Sequence, residues 1–406
     1  MTAITAANEI LKEDYGPDGI ANTAYEDNPG FGMVKKHHFT GKLYNFPVQY
    51  GYASNRSRTA TTALNKANTT NFVEFEVVTV ADYDAKDIGK KILAEADGPN
   101  TFVTLLRNVS DSVVQALANN AGADFFGNRG AAIGQIGSGQ ATPTITLLNP
   151  SDITKFSAGQ VLAVSVADGL SGALKAGTVT VLSVDRSAGT VTATGNWTAG
   201  IATAAANDFI FPAGDFSIGR AGLSDWCPDT TTNLATAFYA AVRSVDASRL
   251  AGTRLSVTGL PISQAIRQVA AIQGREEGKP DTCFMSWVVY NDLITERDLK
   301  VVEKVRGNAS PGKGEETTVG FSGIKIAGAR GTIDIYPDRS CNDTHFYLCK
   351  MADGLCIHSQ DTPVKIDDED GNILARNAAD FTYDIRGASF MNYAWSKPVN
   401  LAVGVF

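Results

Sequence analysis

Between Tyr44 and Tyr52 every second residue is large: Tyr44, Phe46, Val48, Tyr50 and Tyr52. A period of two places all five side chains on one face of an extended strand. A second strand is expected at Asn71 to Val80, where Val73, Phe75 and Val77 share a face and Glu74 and Glu76 take the other. The stretch between them, Ala53 to Thr70, is rich in Ser, Thr, Asn and Arg, and connections of that length are uncommon in a compact domain unless they are functional or disordered. The pattern predicts a long hairpin with a polar tip. A two-stranded ribbon is at best marginally stable in water, so its aromatic face needs a cover. A larger sheet in the same domain could supply it, or a neighbouring subunit could. In the second case Tyr44, Phe46, Tyr50, Tyr52 and Phe75 become contacts between subunits, and Arg56 and Arg58 at the tip pair with carboxylates next door.

The chain has 406 residues, two to three domains' worth at roughly 150 residues each. Charged residues are only 19% against about 25% in ordinary globular domains. A surface short of charge is expected where much of it meets protein, because interface cores are depleted in charge. The net charge of -8 excludes nucleic-acid binding driven by overall charge. Five cysteines, Cys227, Cys283, Cys341, Cys349 and Cys356, are too few and odd in number for a disulfide framework and suit a reducing compartment. Met1 to Asp14 shows neither a basic nor an apolar leader region, so no secretory signal is expected. The uncharged stretches Gly130 to Ser151 and Ser187 to Asn207 are dominated by Gly, Thr, Ser and Asn, and no membrane segment is expected.

Residues 1–40 carry turn formers and end in a basic cluster, Lys35, Lys36, His37, His38 and Lys42, which reads as an extended arm. After Asp97-Gly98-Pro99, apolar residues at Phe102, Leu105, Leu106, Val109, Val113, Ala116 and Leu117 fall at helical spacing. That pattern predicts a helix from Pro99 to about Phe126, ended by the Gly-rich segment Gly127 to Gly139. From 140 to 217 the character turns to β, with runs at Ile145 to Leu148, Val161 to Val166, Thr178 to Val184, Thr190 to Thr194 and Asp208 to Phe211. Short strands so spaced predict an inserted barrel or sandwich of about 75 residues. The rest is expected to be α+β, with helices at Asn233 to Arg249, Ser263 to Gln273 and Trp287 to Glu296. Its strands are expected at Lys325 to Ala327, Thr332 to Tyr336, Phe346 to Lys350, Ala379 to Arg386 and Phe390 to Trp395.

No catalytic constellation emerges. Gly307 to Gly314 nearly matches a phosphate-binding loop, but Gly314 stands where a Ser or Thr should ligate magnesium. Gly320-Phe321-Ser322-Gly323-Ile324 lacks the last Gly of a hydrolase nucleophile turn. Cys341, His345, Cys349, Cys356 and His358 lie close together without a C-x-x-C pair. They read as strand residues in which Cys is a small buried hydrophobe. Asp367 to Asn372 resembles a calcium loop with Ile366 in the first ligand position and is better explained as a hairpin turn. Neither a metal nor a cofactor is expected, and the chain is not expected to be an enzyme. The basic cluster at 35–42, with Arg56 and Arg58, could touch nucleic acid; contact with protein is the favoured reading.

The order of elements resembles the major capsid proteins of tailed bacteriophages of the Hong Kong phage type, whose fold also forms the herpesvirus capsid floor. Tyr44 to Val80 resembles the extended loop of that family, and Pro99 to Phe126 its spine helix. Phe125-Phe126-Gly127-Asn128-Arg129-Gly130-Ala131-Ala132-Ile133-Gly134 is similar to the exit of that helix, and Asp246 to Thr253, Asp281 to Leu293 and Ile335-Tyr336-Pro337-Asp338 are similar to axial-domain landmarks. The resemblance implies an α+β capsid fold divided into an arm (1–40), an extended loop (41–81), a peripheral domain with the spine helix (82–139), an inserted β domain (140–217), an axial domain (218–375) and a C-terminal return (376–406). It implies self-assembly into pentamers and hexamers of an icosahedral head around double-stranded DNA, in a virion assembled in the cytoplasm of a bacterial host. A separate scaffolding protein, a portal and a decoration protein are the implied partners, and Lys35, Lys36, His37, His38 and Lys42 would face the DNA weakly. The competing reading is a secreted or surface β-rich ligand-binding protein, suggested by the Gly/Thr-rich strands of 140–217.

Overall fold

In the computed structural model residues 28–51, 57–64, 71–89, 99–298, 324–367, 373–376 and 382–406 are described. Helix α1 (Pro99–Phe126) has 28 residues, roughly 42 Å of helix at 1.5 Å per residue. Leu106, Ser110, Val113, Leu117, Ala121 and Phe125 are buried along it at intervals of three and four, the stripe of a helix laid on a core. It lies on a six-stranded sheet organised by one long strand, β19 (Thr382–Trp395). On one side β4 (Val80–Gly89) runs antiparallel to it from Thr382 to Met391. On the other, β18 (Leu374–Arg376), β17 (Lys365–Ile366) and β16 (Gly354–His358) pair in turn with successive parts of it, and β1 (Lys35–His38) lies parallel outside β16. Gly387 permits the approach of helix to strand, because a Cβ there would stand 2.6 Å from Val113 Cγ1 and 2.8 Å from Leu117 Cδ1.

A second six-stranded sheet has the order β11 (Thr253–Ser256), β20 (Ala402–Val405), β15 (His345–Cys349), β12 (Thr282–Met285), β14 (Gly331–Pro337) and β13 (Ile324–Gly328). One face buries Cys283, Ile333, Ile335 and Phe346 against Ala265, Ile266 and Val269 of α2 (Ile262–Arg275) and Leu293 of α3 (Trp287–Asp298). Phe284 and Tyr347 point the other way, into the core beneath α1. There the end of α1 joins the two sheets. Phe125 meets Phe284 edge-on at 5.7 Å and Tyr393 at 5.4 Å, and Phe126 meets Phe284 at 5.7 Å. Tyr393 also donates its hydroxyl to Ala121 O at 2.7 Å.

The chain then leaves for a closed six-stranded barrel in the order β10 (Phe209–Pro212), β5 (Gly134–Ser138), β6 (Thr144–Leu147), β9 (Thr190–Ala193), β8 (Val179–Asp185) and β7 (Val161–Ser165), with β7 closing on β10. The barrel has its own core, among it Ile136, Ile145, Phe156, Leu162, Val164, Val191, Trp197 and Ile210. Its two ends run side by side: Gly219 N donates to Arg129 O at 2.8 Å and Ser217 N to Gly130 O at 3.1 Å.

Three expectations are corrected. The barrel begins at Gly134, not at 140, because Ile136 alternates with glycines yet fills the barrel core. The helix expected over Asn233 to Arg249 is reduced to a 3-10 turn, Arg243–Asp246, and a short helix, Ala247–Ala251. Before them Tyr239 and Ala240 have φ of 47° and 69°, and this reversal lets Phe238 and Tyr239 turn inward. Burial of two aromatic rings outweighs helix propensity, which spans under about 1 kcal/mol per ordinary residue. The strands expected at Ala379 to Arg386 and Phe390 to Trp395 are one strand, continuous through Gly387.

Truncating Phe125 to Ala should cost about 3–5 kcal/mol, whereas Phe72→Ala, at a side chain 59% exposed, should stay within about 0.5 kcal/mol; urea unfolding of each variant checks this. A fragment spanning residues 129–219 should fold alone, with cooperative unfolding and a blue-shifted Trp197 emission, because its core and its paired ends are self-contained.

Candidate functional site

The hairpin is a sheet of two strands, β2 (Tyr44–Gly51) and β3 (Asn71–Val77), with Tyr44 opposite Val77, Phe46 opposite Phe75 and Val48 opposite Val73. Its aromatic face is covered by its own chain. Phe46 and Phe75 stack at 5.6 Å, Phe75 lies 5.2 Å from Trp226 and 6.2 Å from Phe238, and Trp226 and Phe238 meet edge-on at 4.8 Å. Phe75 is 0% exposed, so the expectation that it contacts a neighbour is corrected: the loop 222–241 occupies that face. Tyr44, Phe46 and Tyr50 are half-buried at the margin. Tyr52 and Arg56 lie outside the described residues, and Arg58 is exposed. The outward face carries Asn45, Pro47, Gln49, Glu74 and the exposed ring of Phe72.

Beneath the cover sits a charged knot that the sequence analysis missed. Asp225, buried, accepts from Arg129 Nε at 2.7 Å and Arg129 N at 3.1 Å. Arg243, also buried, donates to Asp225 O at 2.6 Å. Both guanidinium groups stack on Phe238, Arg243 at 3.9 Å and Arg129 at 4.5 Å, the cation–π geometry that gains most where water is excluded. Burial pulls the Arg243 guanidinium down to about 10, which leaves it charged at neutral pH. At the other margin Arg249 Nη1 donates to Tyr50 O at 2.9 Å, while its own N donates to Asp246. Asp225, Phe238, Arg243 and Arg249 lie on no periodic stretch, so only the density of Trp, Phe, Tyr and Arg in 220–249 signals them.

The basic cluster at 35–42 is not one patch. Strand alternation splits it, with Lys36 and His38 on one face of β1 and Lys35 and His37 on the other. Lys36 is turned inward: its Nζ donates to Phe31 O at 2.5 Å and Gly32 O at 2.8 Å, closing the short helix Pro29–Met33, and burial pulls it down to about 8. This corrects its expected place facing DNA. Lys35, His38 and Lys42 are exposed, and His37 packs edge-on against Tyr44 at 5.4 Å.

Chemistry elsewhere is that of structural joints. All five cysteines are buried and unpaired, and burial pushes the Cys356 and Cys227 thiols up to about 12, far from a reactive thiolate. Among the described residues no group of three metal-ligating side chains occurs, and no helix is long and apolar enough to cross a membrane. Gly307 to Gly314, Gly320 to Gly323 and most of the acidic turn at 367–372 lie outside the described residues. A cleft of about 540 Å³ separates α1 and β4 from the barrel. Within it Arg220, 1% exposed, donates to Asp124 Oδ2 at 3.1 Å and Ser389 O at 3.2 Å and faces Asp82 at 3.7 Å. Burial lifts Asp124 to about 6 against the pull of Arg220. These contacts tie helix, strand and barrel root together.

What the molecule offers is therefore a braced hairpin, a long helix, two sheets and a barrel. No family profile and no curated protein matches the sequence. Among solved structures, the capsid asymmetric unit of cyanophage A-1(L) superposes with a TM-score of 0.53 at 12% identity, over 93% of this chain and 92% of that one. The chain has the phage capsid fold. A native gene-transfer-agent (GTA) particle capsid gives 0.45 at 9% identity, over 95% and 90%, and Microbacterium phage Oxtober96 gives 0.45 at 10%, over 93% and 91%. The capsid fold accounts for the expected order of hairpin, helix and α+β body, and the barrel is set within it.

Arg249→Ala should free the hairpin margin at a cost of about 1.5–3 kcal/mol, typical of a hydrogen bond to a charged group. Amide exchange in Tyr44–Gly51 should accelerate and tryptic cleavage at Arg58 should quicken, with exchange in the barrel strands unchanged.

Proposed function

We propose that this chain is a major capsid protein, a structural subunit and not an enzyme, that assembles into hexamers and pentamers of an icosahedral phage head enclosing double-stranded DNA. The observation that carries the reading is the end-to-end match to the cyanophage A-1(L) capsid subunit, which leaves under a tenth of either chain unaccounted for. In this reading β2 and β3 are the extended loop, α1 is the spine helix of a peripheral domain with the β19 sheet, the sheet carrying α2 and α3 is the axial domain, and the barrel is an inserted domain. The protein resides in the virion after assembly in the bacterial cytoplasm. Its partners are copies of itself, a separate scaffolding protein, a portal and a decoration protein.

The hairpin's chemistry supports a mechanical role. Because loop 222–241 covers its inner face, the hairpin is braced without a neighbour and projects as a lever. Contact with the next subunit then falls to the margin and the outside: Tyr44, Phe46, Tyr50, the exposed Phe72, and the tip with Arg58, Arg56 and Tyr52. An acidic whole, with Lys35 and Lys42 exposed among the described residues near the arm, suits a container that touches DNA weakly.

Negative-stain microscopy of the expressed protein should show closed shells or capsomer rings. Deleting residues 54–69 should leave a folded monomer, with the melting transition of the full chain, that forms no shells. Normal closed particles from that deletion would overturn the extended-loop assignment, and a full-length chain that stays monomeric at all concentrations would overturn the capsid reading.

A further inference from the structure

The described chain opens as a strap laid over the body. Asn28 donates from Nδ2 to Asn119 Oδ1 at 3.2 Å, and the missing side chain at Gly122 makes room for it, since a Cβ there would stand 2.3 Å from Asn28 Oδ1. Gly30 N donates to Asp338 Oδ2 at 3.2 Å. Beyond Lys36, β1 runs parallel to β16 in the register Lys35 to Leu355 through His38 to His358, and Phe39 N donates to His358 O at 2.8 Å.

That last fastening gathers histidines. The chain has four, and three stand here: His37 and His38 on β1 and His358 at the end of β16. The rings of His38 and His358 meet edge-on with centroids 5.7 Å apart. His358 is 4% exposed, and its Nδ1 lies 2.7 Å from Gln360 O, a contact that assigns the proton to Nδ1 and leaves Nε2 bare in the neutral ring. β19 sets Met391 opposite it. Among the described residues, the charges that act on His358 are those of His38, His37 and Lys36, all positive. A proton on His358 would therefore sit in a nearly closed site beside these groups.

We propose that the pairing of β1 with β16 is a pH-sensitive fastening of the N-terminal strap, held while His358 is neutral and loosened when it takes up a proton. The direction follows from linkage. Burial holds His358 below the usual imidazole range, and a base so held contributes stability that is full above its free value and lost as pH falls through its folded value. Asp338, under Gly30, acts with the opposite sign: burial lifts its carboxyl to about 6, so its protonation favours the folded strap as pH falls. Whole-molecule melting would mix the two effects, and the readout must be local to β1.

Hydrogen exchange of the full chain, corrected for the intrinsic pH dependence, provides it. Protection of residues 35–39 and 354–358 should fall roughly tenfold between about pH 7.5 and about pH 5, while that of Ala402–Val405 in β20, which has no histidine, changes less than about threefold. His38→Gln, at an exposed position, should shrink the fall, and His38→Gln combined with His358→Gln should abolish it. If the double variant loses protection in β20 at pH 7.5 it has not folded, and the single variant decides. Equal loss in β1 and β20, or a fall unchanged in His38→Gln, would overturn the proposal.

Discussion

The two sheets and the barrel depend on one joint, the C-terminal end of α1. Phe125 and Phe126 reach Phe284 of one sheet and Tyr393 of the other, and the Tyr393 hydroxyl returns to the helix at Ala121 O. Each buried aromatic ring removes on the order of 150–250 Å² from water, so the cluster outweighs any single hydrogen bond nearby. It also fixes direction. A chain that leaves the helix just past this cluster must turn at once; Ala131 takes a φ of 65° in that turn, and Gly130 leaves room where a Cβ would stand 1.8 Å from Asp168 O.

From that joint the brace on the hairpin follows. Trp226, whose Nε1 donates to Tyr393 O at 3.0 Å, connects the end of α1 and β19 to the hairpin's aromatic face. The strands thus inherit their orientation from the same cluster that orients the sheets. A two-stranded ribbon, marginal alone, is held in place because its large side chains are partnered within the chain. The inner face of the hairpin, which the sequence left open to either a neighbour or the same domain, thus serves the folding of its own chain.

How far the sequence discloses this depends on whether a signal is periodic. Tyr44 to Tyr50, α1 and the barrel strands each bury a regular face, and their alternation or helical spacing shows it. Ile262–Arg275 and Trp287–Asp298 were legible for the same reason. The segment that covers the hairpin was not, because Trp226 comes from a helix of only four residues, Leu223–Trp226, and Phe238 and Tyr239 from irregular backbone, with Tyr239 and Ala240 at positive φ. Part of it was expected to be a helix, Asn233 to Arg249. Glycine misled in the other direction: Gly134–Ser138 looks like a helix exit, but Ile136 pins it into the barrel wall. The basic run at 35–38 read as a patch because a linear sequence does not display that adjacent strand residues face opposite ways.

The shortage of charge takes on a second meaning once the side chains are placed. Part of it fits surface given over to protein contact. The charges that do exist are in many cases removed from that surface as well: Arg220, Arg243, Asp225 and Asp338 are all buried. Such pairs add little net stability, because desolvation consumes most of the Coulomb gain, yet breaking one leaves an unpaired buried charge and is costly. Their value is therefore geometric. Each sits where separate segments meet: Arg220 between α1 and β19, Asp225 and Arg243 under the hairpin's cover, and Asp338 under the strap. An apolar contact tolerates sliding, whereas a guanidinium held by a carboxylate and carbonyls accepts one arrangement. Buried charge at these joints therefore fixes how the segments of the chain meet, and fewer charges are left for its exterior.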